Sequence, residues 1–157
     1  MRKWCPAMVG AFLVFTFLSI AAAADEKPLT VELKSFKFKE GDSLFGYNDG
    51  EDKLFFYTNG AGTAPVKLPD DGEYEIVIKA SCDSAQNERA KFKLAIDGEA
   101  VGKETLLTDD GPKDYKFSSK LKKGDHKLSI EFTNDVFKEG EYDRNLYVHG
   151  VSLKKTK

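Results

Sequence analysis

Alternation of apolar and polar residues with a period of two constrains this chain more than any other feature. Between Glu73 and Cys82, the side chains of Tyr74, Ile76, Ile78, Ala80 and Cys82 fall on one side and those of Glu75, Lys79 and Ser81 on the other. That is the pattern of a strand with one dry face. Phe92, Leu94 and Ile96 repeat it within 90–97, Tyr115, Phe117 and Leu121 within 113–121, and Leu128, Ile130 and Phe132 within 127–133; 145–154 makes a last strand. Asp70-Asp71-Gly72, Asp97-Gly98, Asp109-Asp110-Gly111-Pro112 and Lys123-Gly124-Asp125 supply the residues that turns require. No segment sustains a helical period. Strands recurring every ~8 to 12 residues, each with one dry face, predict an all-β fold, an antiparallel sandwich of jelly-roll type. The stretch 41–64 is less regular and reads as short strands joined by long loops around Leu54 to Tyr57.

The N-terminus has a different composition. Arg2 and Lys3 precede an apolar run from Val9 to Ile20, and Ala21 to Ala24 stand before the polar Asp25-Glu26-Lys27. This is the layout of a secretory signal peptide over 1–24, with cleavage expected after Ala24. The run is shorter than the ~20 apolar residues that span a bilayer, and Cys5 precedes it, so it is not placed as a lipoprotein cysteine would be. A single module over 25–157 is expected, secreted, periplasmic or on the cell surface, with no membrane association after cleavage. Cys82 is then its one cysteine, which excludes an intramolecular disulfide framework; its alternating position predicts a buried thiol. The formal net charge is −2, and loss of Arg2 and Lys3 makes the mature chain more acidic. With its lysines interleaved among strand positions, it has no basic patch for nucleic acid.

Gly41-Asp42-Ser43-Leu44 spells the short signature of a hydrolase family. Those enzymes are α/β proteins with an Asp and a His three residues apart, and neither His126 nor His149 has an Asp three positions before it. No enzyme is expected. Two histidines and one mature cysteine have no zinc spacing; His126, beside a turn, is expected to be solvated. The segment from Asn134 to Val148 is richer. Asp135, Glu139, Glu141, Asp143 and Asn145 place hard oxygen donors in one short loop, the ligand type that calcium takes. The same composition also suits a solvated acidic loop, and these residues alone leave both readings open. Phe137 and Tyr142 lie in this loop where alternation does not call for them, which marks them as ligand-facing candidates.

Phe132-Thr133-Asn134-Asp135, a variable loop, and Asp143-Arg144-Asn145-Leu146-Tyr147-Val148 resemble the C-terminal signature of calcium-dependent xylan-binding carbohydrate-binding modules, families thirty-six and sixty. Phe92 to Gly98, Asp114 to Phe117 and Lys123 to Ile130 resemble earlier strands of those modules, so the likeness runs from about Leu29 to Leu153. It implies a jelly roll with a calcium ion held by Asp135 and Asp143, with Asn134 and Asn145 as further ligands. Phe137, Glu139, Glu141 and Tyr142 then surround a polysaccharide whose vicinal hydroxyls coordinate the ion. Because the diol replaces water on the cation, recognition needs no tryptophan platform, and the only tryptophan is Trp4. Related modules often hold a second, structural calcium through N-terminal glutamates and an acid in the final strand. Here Lys34 follows Glu32 and His149 stands at the acid's place, so the likeness does not extend to that site. Such modules commonly accompany a catalytic domain; none is expected within this chain, and a partner enzyme is left open. A second reading is a sandwich for surface adhesion or protein interaction, with calcium rigidifying the loop.

Overall fold

The computed structural model describes residues 27–39 and 43–157. The signal peptide expected over 1–24, and Gly41 and Asp42 of the hydrolase-like tetrapeptide, lie outside the described residues. In chain order the strands are β1 (Leu29–Thr30), β2 (Phe45–Asn48), β3 (Lys53–Phe56), β4 (Gly60–Leu68), β5 (Gly72–Asp83), β6 (Lys91–Ile96) and β7 (Glu99–Ala100). They continue with β8 (Thr105–Leu106), β9 (Lys113–Leu121), β10 (Gly124–Phe132), β11 (Phe137–Lys138), β12 (Tyr142–Asp143) and β13 (Asn145–Lys155). The helical content among the described residues is one 3-10 turn, Leu33–Ser35. The larger sheet has six strands in the order β2-β3-β13-β5-β9, with β1 also on β13; the smaller has five, β4-β10-β6-β7, with β8 on β6. All pairings are antiparallel, as the alternation predicts.

The dry faces meet between the sheets. Leu54, Phe56, Ile76, Ile78, Leu146 and Val148 from the larger sheet and Phe92, Leu94, Leu128, Ile130 and Phe132 from the smaller belong to one buried cluster. Phe92 bridges the layers edge-on to Tyr115 and Phe117, each at 5.9 Å between centroids. Cys82 is buried, as its phase predicts, and free. In β13 the register shifts between Val148 and Gly150. This bulge lets Val148 and Val151 both face the core although they are three apart, which strict alternation forbids.

Two expectations are corrected. The loop read after Tyr57 is instead the start of the nine-residue β4. Its glycines hid the pattern: a Cβ at Gly60 would stand 2.6 Å from the Phe45 ring and one at Gly62 2.6 Å from Phe38, so aromatic rings fill the space that side chains would take. Pro65 is tolerated because β4 lies at a sheet edge. His126 is not solvated. Its side chain is only 12% exposed, with Nε2 at 2.7 Å from the Lys122 carbonyl and Nδ1 at 2.7 Å from Asp97 Oδ2. Two acceptors hold both ring nitrogens, so the Lys122 carbonyl first and Asp97 second raise the imidazole above its ordinary pKa. Among the described residues, no helix is long and apolar enough to cross a membrane.

Candidate functional site

The segment 133–144 is where the chain leaves β10 in the smaller sheet and enters β13 in the larger. Within it β11 and β12 form a small hairpin, Phe137 opposite Asp143 and Lys138 opposite Tyr142, turning through Gly140 at φ 72°. The base of the loop is tied down from several sides. Asn134 Oδ1 accepts from the Lys91 amide at 2.6 Å and its Nδ2 donates to the Arg89 carbonyl at 2.9 Å. The Asp135 amide donates to Asn59 Oδ1 at 2.8 Å, and the Arg144 amide to the Val136 carbonyl at 3.0 Å.

Arg144 is buried. Its guanidinium donates to the carbonyls of Glu88 (3.0 Å), Asn134 (2.6 Å) and Ala85 (2.5 Å), using the planar fork that suits arginine to several acceptors at once. One side chain thus joins the start of the loop to the tight turn 85–88. That turn contains Gln86 and Asn87 at positive φ.

Above this base lies a cleft of about 390 Å³ lined by Leu44, Tyr57, Thr58, Asp135, Phe137 and Asp143. Three walls are apolar or aromatic and the acids sit together. Phe137 is 64% exposed, far from the core role the other phenylalanines take. Burial pushes the Asp135 carboxyl above its ordinary pKa and the nearby Asp143 charge adds to this, while a Thr58 hydrogen bond opposes it. Asp143 is exposed, and its Oδ2 accepts from Asn145 Nδ2 at 3.0 Å.

The sequence-derived residues therefore separate into groups. Asp135, Asp143 and Phe137 come together in the cleft, and Asn145 reaches Asp143 from β13. The Asn134 side chain is engaged with the backbone of 89–91 and holds the loop's base. Glu139 and Glu141 are exposed on the hairpin turn, Glu141 paired with Lys138 at 2.5 Å; with half-buried Tyr142 they stand outside the cleft lining. Asp83, which spacing along the chain does not reveal, joins the site from β5: its Oδ2 accepts from Asn145 Nδ2 at 3.1 Å and from the Tyr147 hydroxyl at 2.7 Å. The register partnership of Asn145 with Asp83 brings it there. Burial first, then Asp83, holds the Tyr147 phenol protonated, well above its ordinary range.

Among the described residues no group of three or more His, Cys, Asp or Glu side chains is gathered to hold a metal. The donor set nevertheless fits a hard cation of the calcium kind. Asp135 Oδ1 and Asn145 Oδ1 are buried without a hydrogen-bond partner, and unpartnered buried acceptors are costly unless something positive meets them. At the place of a second calcium, Glu32 is instead paired with Lys34 at 3.5 Å, and His149 Nε2 lies 2.7 Å from Ser81 Oγ.

Comparison with solved structures agrees with this architecture. The CBM36-1 domain of a multidomain xylanase from the hindgut metagenome of Trinervitermes trinervoides superposes with a TM-score of 0.62 at 14% identity, covering 83% of this chain and 99% of that one. A CBM36 module in complex with calcium and xylotriose gives 0.55 at 17% identity, with 83% and 100% covered, and a mannan-binding module from Man5C gives 0.57 at 21%, with 82% and 99% covered. At these identities the likeness is one of fold. A search of curated protein sequences finds no match. The model of family CBM60, described as a Ca-dependent, xylan-binding carbohydrate-binding module, matches residues 75–157. That span contains β6, β9, β10, the crossover loop and β13, the elements carrying the resemblance seen in the sequence, and the chain belongs to carbohydrate-binding module family CBM60.

Proposed function

We propose that this protein is an exported, non-catalytic module, folded as one unit over 25–157, that binds xylan-like β-linked polysaccharide through a calcium ion in the crossover loop. Asp135 and Asp143 hold the ion and the Asn145 side-chain Oδ1 assists. The observation that carries this reading is the unpartnered, buried Asp135 Oδ1 beside Asp143 in a cleft walled by Leu44, Tyr57 and Phe137. A bound calcium supplies a positive centre on which adjacent sugar hydroxyls replace water. The protein's own part is to bring two carboxylates together and to present flat apolar walls to the C–H faces of a sugar ring. Family membership supports polysaccharide binding, and the signal-like leader supports export.

Calorimetric titration of β-1,4-xylo-oligosaccharides, with calcium and with excess chelator, tests the mechanism. Binding should require calcium, and Asp143→Ala should abolish it while leaving the far-UV circular dichroism unchanged. Affinity that persists in chelator overturns the metal-mediated reading. Calcium-induced stabilisation with no glycan bound would favour the adhesion reading instead.

A further inference from the structure

The larger sheet carries a row of aromatic rings on the face turned away from the core. Leu54, Phe56, Leu146 and Val148 are fully buried, so strand alternation points Phe55, Tyr57 and Tyr147 outward. Phe55 and Tyr57 lie 4.8 Å apart between centroids, and Tyr57 and Tyr147 6.3 Å. Lys53 Nζ stands 4.3 Å from the centre of the Tyr147 ring. Gly46 faces Phe55 in register, and a Cβ there would come within 3.1 Å of that ring; glycine lets the ring cover β2. Tyr57 is 41% exposed, and Phe55 and Tyr147 are half-buried.

This row is continuous with the loop site by two routes. Tyr57 is itself a wall of the cleft that holds Asp135 and Asp143. The Tyr147 hydroxyl donates to Asp83 at 2.7 Å, and the Asn145 amide donates both to Asp83 at 3.1 Å and to Asp143 at 3.0 Å, a chain of bonds from the sheet face to the loop. The strip is narrow, and Glu51, Lys53, Asp83 and His149 stand close to it. Flat rings flanked by donors and acceptors suit a sugar, with its apolar faces and hydroxyl rim. A broad protein contact would want a larger unbroken apolar patch.

We propose that Phe55 and Tyr147 form a second saccharide subsite, joined to the loop site through Tyr57, that takes further sugar units of the same polysaccharide chain. This rests on the polysaccharide-binding reading above. Phe55 and Tyr147 stack on the sugar rings, and Lys53 and Asp83 meet their hydroxyls.

The test is a length series of β-1,4-xylo-oligosaccharides, disaccharide to hexasaccharide, titrated in calcium into the mature chain and into the variant Phe55→Leu. Leucine keeps an apolar strand residue and removes the ring, and Phe55 stands outside the chain of bonds that reaches Asn145; Phe55→Met serves if the leucine variant does not fold. For the wild type, affinity should rise roughly tenfold with length, the scale of one or two ring contacts. The variant should lose that rise while its disaccharide affinity and calcium affinity stay unchanged. A hexasaccharide affinity equal in variant and wild type overturns the subsite and leaves the loop site standing. No binding at any length by the wild type overturns the underlying reading, and the subsite with it.

Discussion

Asp135 sets the terms on which the loop can hold a cation. Its carboxyl is partly buried, one oxygen has no partner, and Asp143 shares its cleft. Burial and that neighbour favour the neutral form, so without a cation this group's contribution to stability is present at low pH and is lost as pH rises through its raised pKa. When ionised without a cation, the side chain is therefore a local cost to the fold. Asp135→Asn should raise the melting temperature of the chelated protein by about 3 °C, the shift that ~1 kcal/mol produces in a domain of this size. It should also remove the further rise that calcium causes in the wild type. Scanning calorimetry in chelator and in calcium reads both effects; a lower melting temperature in chelator would contradict them. That Asp135 and Asp143 share a cleft was legible in the sequence, because they are near each other along the chain. Asp83 was not, since only the β5 and β13 register places it beside Asn145. The role of Asn134 was equally hidden, because spacing does not say whether an amide faces a ligand or the backbone of a neighbouring strand.

The crossover loop acts as an element because Arg144 makes it one. Its guanidinium holds the carbonyls of Ala85, Glu88 and Asn134 together, so Asp135 and Asp143 are both placed by residues one step away from them. Lysine offers one ammonium in place of the planar fork and cannot reach all three acceptors in the same geometry. Arg144→Lys should weaken calcium binding by roughly 10- to 100-fold, the usual cost of losing outer-shell support, while β-sheet circular dichroism is retained. Isothermal titration with calcium measures it, and an unchanged dissociation constant would remove Arg144 from any part in shaping the site. Element-scale legibility followed the same physics. Strands with one dry face, such as β5, β6 and β10, announce themselves by alternation. In β4 glycines at positions 60 and 62 give their volume to Phe45 and Phe38, so the strand carries no periodic signal there, and the bulge in β13 breaks its period after Val148.

At the scale of the whole molecule, stability and the candidate metal site are separate. The buried cluster runs through both sheets and draws on residues from 31 to 153, while the loop adds little to it: Phe137 points out and Asp143 is exposed. A core of this extent needs neither a disulfide nor a metal to offset chain entropy, unlike small domains that fold only on binding zinc. Chelation should therefore leave the far-UV spectrum and a single cooperative unfolding transition intact. Calcium should stabilise the fold as mass action requires, by RT ln(1 + [L]/Kd), or about 2.7 kcal/mol at a hundredfold excess over Kd, and raise the melting temperature accordingly. The dependence on calcium concentration must then report the same Kd as direct titration, because only the folded loop brings together the oxygens that would hold the ion. If chelator instead collapses the β signal, calcium is holding the sandwich together, and the division between a self-sufficient core and a site built on its crossover fails.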